Sequence, residues 1–181
     1  MTIPRSTLRL LVLVGVAVCA IAIVAFTYYT FVLKHHAVIS ARETAFHNVA
    51  LTTEDGRGFD STQLGKKPMI VATWATWCPS CTDMLTALGS VKETYGDRIE
   101  VIAVNRKEEK STVDSFRTAV SLPKNLTYVT DGADAYFKNS DGRSMPEIII
   151  YDSEGKMREH SLAAMTKDEL VKVLQEFVAR K

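Results

Sequence analysis

Apolar residues recur along this chain in three rhythms. Residues 10–33 are an unbroken run of 24 without a charged side chain. A helix of that length covers about 36 Å, more than the ~30 Å hydrocarbon core of a bilayer. The apolar core of a cleaved signal peptide is roughly 7–15 residues long, so this run predicts an uncleaved single-span anchor. A cleaved signal, a lipid-modified Cys19 and a buried helix of a soluble domain are the weaker alternatives. Val18, just before Cys19, is bulky for lipoprotein processing.

The second rhythm is short and does not alternate. Residues 69–74 (Met-Ile-Val-Ala-Thr-Trp) are a nearly continuous apolar, β-rich run, read as a strand buried on both faces, and 99–104, 126–129 and 146–151 are read as further strands. The third is helical. Met84, Leu85, Leu88, Val91 and Tyr95 follow Pro79, a residue suited to a first helical turn, and Gly96 closes the segment. Val113, Phe116 and Val120 mark a shorter helix, and Asp131 a cap for another over 133–137. Thr166 with Glu169 spells a capping box for a last helix, whose apolar face is Leu170, Val173, Leu174 and Phe177. Residues 152–155 form a turn before a strand at 156–160. The turn-rich segment 52–58 follows weak alternation at 46–51 and predicts a short strand pair, with a helical turn over 60–64. Strands alternating with helices give an α/β fold, a mixed central sheet with helices on both faces.

The chain of 181 residues, 46% of them hydrophobic, fits one domain plus an anchor. The boundaries expected are a short cytoplasmic segment (1–9), a transmembrane anchor (10–33), a tether (34–42) and one domain (43–181). Net charge is +1, and −1 once Arg5 and Arg9 are set aside, so no basic stripe points to nucleic acid. Arg5 and Arg9 precede the apolar run and only Lys34 follows it closely, which favours a cytoplasmic N-terminus. The domain then lies on the extracytoplasmic, oxidising side.

That compartment bears on Ala75-Thr76-Trp77-Cys78-Pro79-Ser80-Cys81. Zinc wants four ligands. No second cysteine pair is present, and His35, His36, His47 and His160 lack finger spacing. A structural disulfide here would close too small a loop to remove much entropy from the unfolded chain. Redox exchange explains the placement better. The pair falls where a strand hands over to a helix, and unpaired N–H groups with the positive end of the helix dipole favour a thiolate at Cys78. Cys81, one turn on, is placed to resolve a mixed disulfide.

Trp74-Ala75-Thr76-Trp77-Cys78-Pro79-Ser80-Cys81 resembles the active-site motif of the thioredoxin superfamily. More narrowly, residues 43–180 resemble the membrane-anchored extracytoplasmic thioredoxin-like proteins of bacteria, the TlpA/ResA/CcmG group. The resemblance implies a thioredoxin fold with an inserted helix and strand at 107–131, a thiol-disulfide oxidoreductase and no bound cofactor or metal. It implies a reductant, as in cytochrome c maturation, fed by a membrane thiol-disulfide reductase and acting on extracytoplasmic protein thiols or disulfides. It also implies that Pro146 is the cis-proline beside the cysteines, with Met145 against the disulfide and Trp77 contacting partners. Nothing specifies a dimer, so a monomer is expected, held in the bilayer of the bacterial cytoplasmic membrane by residues 10–33.

Three departures from the family matter. Ala72 stands where thioredoxin has a buried aspartate that moves the second cysteine's proton. Glu147 replaces a residue that is usually threonine. It is read either as pointing to solvent or as a supporting carboxylate near enough to perturb the thiols. Pro79-Ser80 lacks the glutamate some reducing members carry between the cysteines. The charged stretch from Arg106 to Lys110 is read as a solvated loop and first helical turn. Rival functions are a disulfide-forming oxidant, a thiol peroxidase and a copper-binding assembly protein. The peroxidase pattern Pro-x-x-x-Thr-x-x-Cys fails, because Val71 and Ala75 hold its proline and threonine places. Copper delivery would call on the two thiolates and a distant histidine such as His160.

Overall fold

A computed structural model describes residues 5–44, 49–59 and 67–178. The chain divides into two units, residues 1–40 and 41–181. Helix α1 spans Arg5–Thr44, most of it in the first unit. Its stretch Leu13–Val32 is long and apolar enough to cross a membrane. Thr27 and Thr30 donate their hydroxyls to the carbonyls of Val24 and Thr27, so neither is left unsatisfied. The expected tether is helical and continuous with α1; no glycine or proline between Leu33 and Thr44 stops the helix.

The second unit is built on a seven-stranded sheet. Its strands are β1 (Leu51–Thr53), β2 (Gly58–Phe59), β3 (Met69–Trp74), β4 (Glu100–Arg106), β5 (Thr127–Asp131), β6 (Glu147–Tyr151) and β7 (Met157–Ser161), in the order β2-β1-β5-β4-β3-β6-β7. β3, β4 and β5 run parallel to one another, while β6 lies antiparallel to β3 and β7 to β6. The helices are α2 (Pro79–Tyr95), α3 (Lys110–Ala119), α4 (Ala135–Asn139) and α5 (Lys167–Leu174). The predicted hairpin pairs β1 with β2, slightly later than the sequence reading; residues 46–48 and the helical turn at 60–64 lie outside the described residues.

β3, β4 and β6 are central, so both faces of each are covered, as their non-alternating sequences require. The pleat splits them into two cores. Ile70, Ala72, Trp74, Val101, Ala103, Ile148 and Ile150 face α2, α3 and α5. Met69, Val71, Ile102, Val104, Ile149 and Tyr151 face Tyr136 of α4. The predicted capping box forms at α5: the Thr166 hydroxyl accepts from Glu169 N–H, and the Glu169 carboxylate accepts from Thr166 N–H. Asp131 accepts the N–H groups of Ala135 and Tyr136 at 2.9 and 2.8 Å, capping α4 as expected from the sequence.

Candidate active site

β3 ends at Trp74, and five residues later α2 begins. Cys78 is the N-cap, in extended conformation (φ −94°, ψ 108°), and Pro79 follows in the first turn. No side chain caps this helix, and no acidic residue lies in its first turn. The N-terminal N–H groups and the helix dipole therefore meet no competing carboxylate from the first turn of α2 where a Cys78 thiolate would form.

Cys78 and Cys81 are joined, with Sγ–Sγ at 2.11 Å and the Cα atoms 5.4 Å apart. Both are nearly enclosed, at 4% and 1% exposure, and belong to the core cluster on the α2 face. Pro79 and Ser80 are exposed, and the Ser80 hydroxyl lies 3.9 Å from Cys78 Sγ. The Met145–Pro146 peptide bond is cis, as the resemblance implies. Pro146 is buried, and half-buried Met145 packs against the cluster holding both cysteines. Trp77 stands 61% exposed immediately before the pair. Trp74 is instead core, 1% exposed, with the rings of Phe116 and Tyr128 each 6.1 Å from its own.

Glu147 requires a correction. It does not point to solvent: it is wholly buried, so it touches no substrate. Its carboxylate accepts from the Ser140 hydroxyl at 3.0 Å, lies 2.7 Å from His160 Nε2 and accepts a longer bond from the Thr73 hydroxyl at 3.4 Å. It also does not face the thiols. Glu147 pairs with Thr73, and its neighbour Ile148 pairs with Ala72. Ile148 and Ala72 share the cluster that contains the cysteines, so Glu147 and Thr73 lie on the opposite face. The same placement corrects His160: held by Glu147 behind the sheet, it does not converge with the two sulfurs as a copper site would need.

Two residues were missed. Leu162, 41% exposed, follows β7, and its carbonyl accepts from the Ser144 hydroxyl beside the cis-proline. Outside α1, Trp77 and Leu162 are the large apolar side chains that stand exposed among the described residues. The second is Glu108. Its carboxylate accepts from Thr76 N–H at 2.8 Å, from the Thr76 hydroxyl at 2.6 Å and from Asn105 Nδ2 at 2.8 Å. The 106–110 stretch is thus only partly a solvated loop: Arg106 pairs with Asp134 at 2.6 Å and lies over the Phe137 ring. The one hint for Glu108 was an acid just beyond the carboxyl end of a parallel strand, where sites of open α/β sheets gather.

A disulfide at the N-terminus of a helix, beside a cis-proline loop in this sheet, meets a matching family profile: Redoxin, over residues 40–174. The chain belongs to the Redoxin family. Among relatives, this redoxin is 30% identical over 110 residues to the thioredoxin-like protein YneN of Bacillus subtilis, covering 59% of this chain and 62% of that protein. It is 23% identical over 168 residues to the thiol-disulfide oxidoreductase ResA of Geobacillus thermodenitrificans, covering 92% and 95% of the two. Its fold is that of a secreted Mycobacterium tuberculosis disulfide oxidoreductase, with a TM-score of 0.62 at 23% identity, over 74% of this chain and 98% of that one. The redoxin is a thiol-disulfide oxidoreductase of the thioredoxin type. Its N-terminal helix includes Leu13–Val32, a stretch long and apolar enough to cross a membrane.

Proposed function

We propose that this redoxin reduces disulfides in extracytoplasmic polypeptides, as in cytochrome c maturation, and takes its own electrons from a membrane thiol-disulfide reductase. The observation that carries the reading is the Cys78–Cys81 pair at the start of α2, flanked by exposed Trp77 and by the cis-Met145–Pro146 loop. An apolar, accessible rim suits a polypeptide more than a small thiol. The name ResA, carried by a relative aligned over nearly all of this chain, supports the same class of chemistry.

In this reading residues 1–9 are cytoplasmic, 10–33 anchor the chain and 43–181 carry the chemistry. Cys78 as thiolate attacks one sulfur of the substrate disulfide. That S–S bond breaks, a Cys78–substrate disulfide forms, and the other substrate sulfur leaves as a thiolate that takes up a proton. Cys81 then loses its proton and attacks Cys78 Sγ, closing Cys78–Cys81 and releasing the second substrate sulfur. Two electrons pass to the substrate. Met145 and Pro146 line the exchange site, Trp77 contacts the partner, and Pro79 and Ser80 tune the potential.

Replacing Cys81 by serine is expected to trap mixed disulfides, and Cys78→Ser to abolish exchange. The reverse pattern would exchange their roles. A reduction potential near roughly −270 mV fits a donor, and one near roughly −120 mV makes the protein an oxidant and overturns the direction proposed.

A further inference from the structure

We propose that Glu108 is a positioning residue for the redox pair, holding the 75–77 turn that presents Cys78 through hydrogen-bond geometry and not through its charge. The inference rests on the reading that Cys78 and Cys81 exchange disulfides. β3 ends at Trp74, so the N–H of Thr76 falls beyond the sheet ladder in the turn that leads to Cys78. Glu108 takes that N–H on Oε2 and the Thr76 hydroxyl on Oε1. Asn105, the register partner of Trp74 on β4, donates Nδ2 to the same Oε2.

The carboxylate thus ties the end of β4 to the turn after β3. Lys107 makes this possible: at φ +55° it turns the chain back after β4, and its N–H donates to the Asp131 carbonyl at 3.2 Å. The turn continues through the Cys78 N–H, which donates to the Ala75 carbonyl at 3.2 Å. On α2 the cysteine side of the pair is fixed by the helix itself. On the strand side, the Glu108 clamp holds Thr76, which the exposed Trp77 follows directly before Cys78. Disulfide exchange depends on where the attacking sulfur sits, and misplacement of a reacting group by about 1 Å costs on the order of a hundredfold.

Geometry and charge separate cleanly here. In Glu108→Gln, the amide oxygen in the place of Oε2 accepts from Thr76 N–H and Asn105. The amide NH2 in the place of Oε1 donates to Thr76 Oγ, whose hydroxyl rotates to accept. The clamp survives and the charge is gone. Glu108→Ala removes every one of these bonds.

The test uses the full chain in detergent or nanodiscs. Reduction of an oxidised dicysteine peptide is followed beside the pH profile of Cys78 alkylation by iodoacetamide. Glu108→Ala is expected to slow exchange by on the order of tenfold to a hundredfold, and its Cys78 alkylation profile should change. Glu108→Gln should match the wild type in both, and Thr76→Val should add nothing in the Glu108→Ala background. Wild-type rates and profile in Glu108→Ala overturn the proposal, as does a Glu108→Gln variant as slow as Glu108→Ala, which would assign the effect to charge. If Glu108→Ala fails to fold, Thr76→Val decides: slowed exchange supports the clamp and an unchanged rate overturns it. If the wild type itself does not reduce the peptide, the proposed function fails. The alkylation profiles still judge Glu108.

Discussion

Ala72 and Thr73 are successive residues of β3, yet they serve opposite faces of the sheet, and the chemistry of the two faces at this end differs completely. Ala72 is wholly buried in an apolar cluster that includes Cys78 and Cys81. Thr73 turns to the other side, where Glu147, Ser140 and His160 form a hydrogen-bonded polar cluster. Two residues after Pro146 repeat the division: Glu147 joins the polar side and Ile148 the thiol side. The pleat, with its period of two, therefore decides which ionisable groups can reach the thiols. An acid adjacent in sequence to the cis-proline has no bearing on the sulfurs if it stands on the wrong side of the strand, whereas Glu108, distant in sequence, reaches the turn that carries them.

The strongest way to break this division is to put a carboxylate on the thiol face. In Ala72→Asp the new group has an apolar cluster around it, and a buried charge without a partner costs about 3–5 kcal/mol. The urea midpoint is expected to fall accordingly at neutral pH and to recover partly in acid, where the carboxyl is neutral. In the reduced protein the negative charge should raise the thiolate midpoint of Cys81. An unchanged midpoint would mean that Ala72 and the sulfurs are not neighbours in the electrostatic sense.

The complementary change empties the polar face. Glu147→Ala leaves the Ser140 hydroxyl and His160 Nε2 without their shared acceptor, a loss of about 2–3 kcal/mol, while Glu147→Gln keeps an acceptor oxygen and loses less. Neither should move the Cys78 alkylation midpoint. A shift of that midpoint in Glu147→Gln would show that the sheet does not insulate the two faces.

The sequence carried the division only in part. The central strands were legible because Met69 to Trp74, Thr73 aside, and the triple isoleucine after Glu147 are apolar, the pattern of strands covered on both faces. The same fact held the answer for Glu147, since the first residue of such a strand has no solvent side to choose; reading it as exposed weighed its charge above its neighbours. α2 was legible from Pro79, its apolar spacing and Gly96, and α5 from Thr166 and Glu169. The redox role of the cysteine pair was legible from its place between a strand and a helix, whereas cis-Pro146 came from the resemblance. Glu108 was hardly legible, its one hint being an acid just beyond the carboxyl end of a parallel strand. Its role depends on Lys107 adopting a left-handed conformation, which costs a non-glycine residue about 1 kcal/mol and has no signature in local composition.

Titration away from neutrality tests the two faces with smaller effects. On the α4 side, the hydrogen bond from the Arg106 guanidinium holds the Asp134 carboxyl below its ordinary value. A depressed carboxyl contributes stability that is present above its unfolded value of about 3.9 and is lost as pH falls through the folded one. Asp134→Asn is expected to flatten the acid limb of the stability curve; asparagine tolerates the left-handed backbone there (φ +58°), so the charge is tested without strain. An acid limb as steep as the wild type's would show that Asp134 contributes nothing to it. On the α2 side, burial pushes the Tyr128 phenol up to about 12, with the nearby Arg117 opposing, and its hydroxyl donates to the Pro123 carbonyl at 2.9 Å. A phenol raised in the fold contributes stability that is complete below the unfolded value of about 10 and is lost as pH rises toward the folded one. Tyr128→Phe should therefore cost about 1 kcal/mol at neutral pH and remove a phenolate absorbance step near the alkaline end. A step that appears instead at the value of a free tyrosine would show that this face admits water beside Trp74, and that the thiol face is less dry than the apolar cluster implies.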